Sequence, residues 1–304
     1  MIVGSIDFWV TLDFCLRHAA YWIERYWAQA GTGESICWGC SDRPAFFRDR
    51  LESGPFFERQ KNMNSENQCH GLWVDGELPP LAELTVRSFL RHHGSFMLWT
   101  YNLDMKAPEG TRLRDAAEII PRGEVFAYTQ GAAAGSFGGF SDIFRAQLLF
   151  QHGGWWTDMD VTLMQPIPSE FLESPIVLRD HWKNIVVGNV MKFPIQSNAM
   201  RVAYELTSRA VNEQNNDWDK PIRLLSRAVR RNRLLKYRHC IGHLDEFVDV
   251  LPFVRLPIRI PKDWWAMHWC NEMWRRGHQH LKLHAESHLA ELFREYDIVA
   301  EGLS

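Results

Sequence analysis

No run of the 304-residue sequence approaches the roughly 20 apolar residues that a membrane-spanning helix requires, so no transmembrane segment is expected. There is no low-complexity tract and no internal repeat, which argues against a disordered scaffold and against a solenoid. Positive charge is not in excess. With 34 Lys and Arg against 37 Asp and Glu, the formal net charge is −3, and nothing in that balance calls for a nucleic-acid partner. Cysteine is sparse: six residues (15, 37, 40, 69, 240 and 270) in a chain of this length fit reduced, cytoplasmic usage better than a disulfide framework. Met1 to Leu12 is apolar but interrupted by Asp7, with no basic leader and no small-residue cleavage site, so no signal peptide is expected.

Tryptophan, by contrast, is abundant, with 14 residues. Flat rings stack on sugars and nucleobases, yet they also dominate buried area, so most are expected in the core. Residues 1–62 stand apart as an N-terminal extension: a helical, aromatic stretch from Trp9 to Trp27, then Gly31-Thr32-Gly33 and a charged segment. Met63 precedes the first convincing strand, so the extension is either a helical accessory or lies upstream of the natural start. Cys37-Trp38-Gly39-Cys40 has metal-ligand spacing, but no second pair follows at finger spacing.

From Cys69 the rhythm is strand, helix, strand. Cys69–Val74 reads as a strand, Pro79-Pro80 opens a helix closed by Gly94, and Phe96–Tyr101 is the next strand. A short helix over Asp115–Ile120 and a strand over Val125–Tyr128 follow. A helix over Asp142–His152 is expected with Ser141 as N-cap and Gly153 past its end, then a strand over Trp155–Leu163. In the second half, Ile185–Phe193 reads as a strand, and 197–212 and 220–236 as helices, the latter with a basic face. Four histidines (278, 280, 284 and 288) read as a solvated helix. The alternation predicts a mainly parallel sheet flanked by helices over 63–304, with ligands beyond the carboxyl ends of the strands.

Asp158-Met159-Asp160 is the pattern that carries chemistry. Two carboxylates one residue apart make an oxygen site for a hard divalent cation. In an extended strand they would lie roughly 6.5–7 Å apart along the chain, so only a bend or a turn lets both approach one ion. The expected division is Asp160 on the metal and Asp158 on the ligand or on the metal through water. Asp142 and Arg145, three apart on the preceding helix, share a face, and the guanidinium suits phosphate oxygens.

The stretch Phe140-Ser141-Asp142-Ile143-Phe144-Arg145 … Gly153-Gly154-Trp155-Trp156-Thr157-Asp158-Met159-Asp160 resembles the glycosyltransferase sugar-binding region with a DXD motif. That group includes bacterial capsule and lipopolysaccharide transferases, Och1-type mannosyltransferases and, more distantly, clostridial glucosylating toxins. The likeness extends upstream through Leu72-Trp73-Val74-Asp75-Gly76 and Leu98-Trp99-Thr100-Tyr101. It implies a GT-A fold, a nucleotide-diphosphate sugar donor, a glycan or glycolipid acceptor, Mn²⁺ or Mg²⁺, and transfer with retention. Carried over, Trp73 stacks on the base and Asn102 lies near the nucleoside. Asp142 and Arg145 meet the donor sugar and diphosphate, Asp158 and Asp160 form the DXD pair, and His268-Trp269-Cys270-Asn271 is the nearest match to the C-terminal stretch that completes the metal and diphosphate site, with His268 as the metal ligand. The family's first-strand motif usually ends in Gly-Gly, whereas this chain has Asp75-Gly76.

Two rivals stay open at this level. Asp158-Met159-Asp160-Val161-Thr162 also fits the signature of haloacid-dehalogenase-type phosphatases, with Asp158 as nucleophile and Asp160 as acid. A non-catalytic sugar-binding module is the other. The basic stretch at 220–236 leaves room for peripheral contact with an anionic glycolipid or membrane surface.

Overall fold

A computed structural model describes residues 67–180, 185–239, 247–276 and 283–300. The expectations for 1–62, for Met63 and for His278 and His280 lie outside the described residues. The strands are β1 (Cys69–Trp73), β2 (Phe96–Thr100), β3 (Thr111–Asp115), β4 (Gly154–Thr157), β5 (Val161–Leu163), β6 (Val177–Asp180), β7 (Val186–Phe193), β8 (Arg238–His239) and β9 (Ala266–His268). The helices are α1 (Pro80–His92), α2 (Gly138–His152), α3 (Ser169–Glu173), α4 (Asn198–Ala210), α5 (Asp219–Arg231), α6 (Phe247–Arg255), α7 (Asn271–Arg276) and α8 (His288–Glu295).

The central sheet has the order β3-β2-β1-β4-β7-β6-β8. Strands β3, β2, β1 and β4 pair in parallel, β7 is antiparallel to both β4 and β6, and β6 pairs in parallel with β8. This is the mixed α/β class expected, mainly parallel and flanked by helices. Alternation along β4 sends Trp155 into one core layer and Trp156 into the other, as a period of two requires. Helices α2, α4 and α5 supply the layer that receives Trp156. Among the described residues, seven of nine tryptophans are buried, while Trp73 and Trp218 stay partly exposed.

Several local expectations need correcting. The helix carrying Asp142 begins at Gly138, not at Ser141, whose own amide donates to Phe137 O at 2.8 Å. The glycine pair allows this early start: a Cβ on Gly138 would lie 2.7 Å from Trp218, and one on Gly139 would lie 2.2 Å from the Tyr128 hydroxyl. The span Trp155–Leu163 is two strands in two sheets, broken at 158–160. Asp115–Ile120 holds only a 3₁₀ turn, Ala116–Glu118, with Asp115 as its cap, and Val125–Tyr128 is not a strand. His284 precedes α8, which starts at His288, so the two do not share a helix face.

Candidate functional site

The break between β4 and β5 is a turn, and it presents Asp158 and Asp160 to a cavity of about 530 Å³. Two pairings shape it. The β4–β7 ladder continues one step past Thr157, where the Asp158 amide donates to Asn189 O at 2.8 Å. On the other side β5 pairs with β9 so that Val161 faces His268, and the Trp269 amide donates to Asp160 O at 2.9 Å. Sheet register therefore brings His268 beside Asp160 across 108 residues of chain (268 minus 160).

Arg145, only 8% exposed at its side chain, is the hub of one half of the site. Its Nη2 lies 3.2 Å from Asp142 Oδ1 and 3.2 Å from Asp158 Oδ1. Its guanidinium stands 5.3 Å over the Trp156 ring, and the Trp156 indole N–H donates to Asp158 Oδ1 at 2.8 Å. Gly188 makes room for it, since a Cβ there would lie 2.6 Å from Arg145 Nη1. Both of these contacts on Asp158 fall on Oδ1, and the residue lines the cavity. Burial pushes the Asp158 carboxyl up, Arg145 pulls it down and Asp160 raises it further.

The other half centres on Asp160. Its Oδ1 lies 3.3 Å from His268 Nε2, and its Oδ2 accepts the Asn271 backbone N–H at 2.8 Å. The Asn189 carboxamide reaches His268 Nδ1 at 3.0 Å and sets the orientation of the ring. The chain bends there through Cys270, whose φ is +53°.

Of the residues singled out in the sequence, Trp73, Asp142, Arg145, Asp158, Asp160 and His268 all line this one cavity. Asn102 does not. It is exposed, and its Oδ1 accepts the Asp104 amide at 3.2 Å to close a surface turn. Asn271, in the stretch His268-Trp269-Cys270-Asn271, also lines the cavity, whereas sequence reading missed Asn189, Trp218 and Ile222, which reach it from β7 and the start of α5. Only tertiary pairing brings them there, and no local motif marks them. The N-terminus of α2 also opens on the cavity through Ser136, Phe137 and Gly138, so backbone amides add a positive edge.

Residues 131–222, which hold Asp142, Arg145, Asp158 and Asp160, match the model of a family described as capsular polysaccharide synthesis protein. That match spans less than a third of the chain and falls on the segment from which the sequence resemblance was drawn. No curated protein matches the chain. Solved structures of similar fold include the glycosyltransferase GlyE of Streptococcus pneumoniae TIGR4, at 12% identity over 77% of this chain and 61% of that one, with a TM-score of 0.42. The galactosyltransferase LgtC, in complex with donor and acceptor sugar analogs, is similar at 10% identity over 77% of this chain and 98% of that one, TM-score 0.41. The PaToxG glycosyltransferase is similar at 11% identity over 55% and 69%, TM-score 0.40.

Proposed function

We propose that this chain is a metal-dependent glycosyltransferase of the GT-A type. It moves a hexose from a nucleotide-diphosphate sugar to a glycan or lipid-linked glycan acceptor, with retention at the anomeric carbon. The observation that carries this reading is the convergence on one cavity of Asp158 and Asp160 from a turn, Asp142 and Arg145 from a helix, and His268 from a distant strand. The family match over 131–222 and the sequence resemblance support it.

A divalent cation fits the residues present. Ligands about 2.1 Å from one octahedral ion stand roughly 3 Å apart, and Asp160 Oδ1 and His268 Nε2 are 3.3 Å apart. A carboxylate with an imidazole suits Mn²⁺ better than Mg²⁺. Among the described residues, no group of three or more His, Cys, Asp or Glu is arranged to hold an ion alone, so donor phosphate oxygens and water complete the shell, as is usual for phosphate-bound cations. In the structure the Asn189 Nδ2 amide group faces His268 Nδ1 and donates to it, which leaves the ring proton on Nε2; for Nε2 to ligate, the carboxamide would have to turn over so that its Oδ1 accepts from Nδ1–H. When bound, the ion supplies positive charge to the departing diphosphate.

The chain's own residues do the rest. Asp160 and His268 hold the cation. Trp156 and Arg145 orient Asp158 toward the donor, and Arg145 adds a second positive charge at the cavity wall. Trp73, at the end of β1, offers its ring to the base. No general base is assigned, because transfer with retention does not demand a paired acid and base.

Nucleotide-sugar hydrolysis with Mn²⁺ across a panel of donors tests the reading. One donor should be cleaved, and Asp160→Ala should abolish cleavage without lowering the melting temperature. Full activity in chelator refutes the metal role. A phosphorylated Asp158 would move the protein to the phosphatases, and tight sugar binding without cleavage by any donor would make it a binding module.

A further inference from the structure

From Lys220 to Arg238 the chain carries eight Lys and Arg and no Asp or Glu, in a protein of net charge −3. Most of this stretch is α5, 13 residues and about 20 Å long. Its inner face, Pro221, Leu225, Ala228 and Val229, is buried, and Ser226 ties it to β7 by accepting the Val186 amide at 3.0 Å. The outer face exposes Arg223, Arg227, Arg230 and Arg231, and the turn beyond exposes Arg233 and Lys236. Arg223 pairs with Asp217. Asp219, the first residue of the helix, lies four before Arg223 and acts on it along with Asp217, but from Lys220 onward no acid offsets the like charges at i and i+4, Arg223/Arg227 and Arg227/Arg231, which work against the helix. An anionic partner is what would.

The position of the strip says which partner. Trp218, Asp219 and Ile222, at the start of α5, line the catalytic cavity, so the row of cations begins where the cavity opens and runs away from it. We infer that this row is the docking track for an anionic glycan acceptor, a chain bearing carboxylate or phosphate groups whose reactive end enters the cavity. The inference rests on the transferase reading given above. A membrane is the poorer occupant, because the apolar face of α5 is buried in the protein and cannot dip into a bilayer interface, and a narrow row matches an extended chain.

Binding of a fluorescent alginate oligosaccharide, a polyuronate, tests this by anisotropy, with a dextran oligosaccharide of equal length as the neutral counterpart. Arg227→Glu/Arg231→Glu is compared with Lys106→Glu/Arg112→Glu, which makes the same change in net charge at exposed positions on and before β3. Wild type should bind alginate and not dextran, with affinity falling roughly tenfold between about 50 and about 300 mM NaCl. The α5 pair should weaken binding by about tenfold or more and flatten the salt dependence, while the β3 pair stays within about twofold. Nucleotide-sugar hydrolysis and melting temperature should be unchanged by the α5 pair. Equal loss in both pairs, absence of alginate binding by wild type, or an α5 pair that loses phosphatidylglycerol vesicles while keeping alginate would each overturn the inference. Failure of every donor to be hydrolysed, by wild type and variant alike, would instead sink the transferase reading and leave the binding result to stand by itself.

Discussion

Asp142 is held at the cavity wall against its own solvation. Burial pushes its carboxyl up to about 6; the Arg145 guanidinium opposes that shift and the Asp158 carboxylate adds to it. The unfolded chain releases this proton near pH 4, so between about pH 4 and pH 6 the folded state keeps a proton that the unfolded state has lost. Stability therefore falls as pH rises through that window, and the cost of the ionised carboxylate is fully present above about pH 6. Asp142→Asn removes the charge and keeps the shape. It should be more stable than wild type at pH 8, by roughly 1–3 kcal/mol, with the gap closing as pH falls from 6 toward 4. Paired thermal or urea melts across that range check it; a variant less stable than wild type at pH 8 would show that pairing with Arg145 outweighs burial. A strained carboxylate in a cleft is the environment expected of a ligand-handling group, and the proposed cation and donor give it a use.

At the scale of elements, two glycines separate conformational strain from contact. Gly153 ends α2 at φ +65°, ψ −157°, a region open almost only to glycine, and a Cβ there would lie 2.5 Å from the Ile195 backbone nitrogen. Gly76 also has positive φ, +76°, but nothing lies within 4 Å of where its Cβ would be. Gly76→Ala should cost about 1 kcal/mol, and Gly153→Ala roughly 3 kcal/mol or more, since backbone cannot move aside; equal costs by urea unfolding would remove the close approach from the account. The same elements show what was legible in the sequence. Buried apolar runs such as Cys69–Trp73, Phe96–Thr100 and Val186–Phe193 were read as strands because continuous burial leaves a simple pattern. The edge strand β3, Thr-Arg-Leu-Arg-Asp, went unread because its charges are those of an exposed edge, not of a core strand. The start of α2 was misplaced because the Gly-Gly that opens it serves contacts with Trp218 and Tyr128, which are remote in sequence. For the site, the carboxylates and Arg145 lay in one motif, whereas Asn189, Trp218 and Ile222 reach the cavity by strand order and packing, which a local pattern does not carry.

The whole molecule assembles the site from both halves of the chain, and on the proposed reading this makes metal and donor interdependent. The parallel half of the sheet delivers Trp73 and Asp158, the antiparallel β7 delivers Asn189, and the small β5–β9 sheet delivers His268. The cavity gathers Asp142, Asp158 and Asp160 around the single buried guanidinium of Arg145. A nucleoside diphosphate entering alone would meet that acidic wall, and at about 4 Å two like charges repel by roughly 1–4 kcal/mol across the dielectric range of a partly open site. A cation entering alone would meet Asp160 and His268 as its closest-set pair of candidate ligands, without the donor phosphates that the proposal has complete its shell. On the proposed reading each ligand would complete the other's site, and the coupling would have to be reciprocal. Mn²⁺ or nucleoside diphosphate added singly should raise the melting temperature little, and the two together should raise it by more than the sum, with a coupling of roughly 1–3 kcal/mol. Asp160→Asn should erase the coupling, because it removes the shared charge, while Trp73→Ala should weaken the nucleotide and leave Mn²⁺ binding as it was. Diphosphate binding of equal strength in Mn²⁺ and in chelator would show that Arg145 and the α2 terminus suffice, and that the acidic pair serves something other than the donor's phosphates.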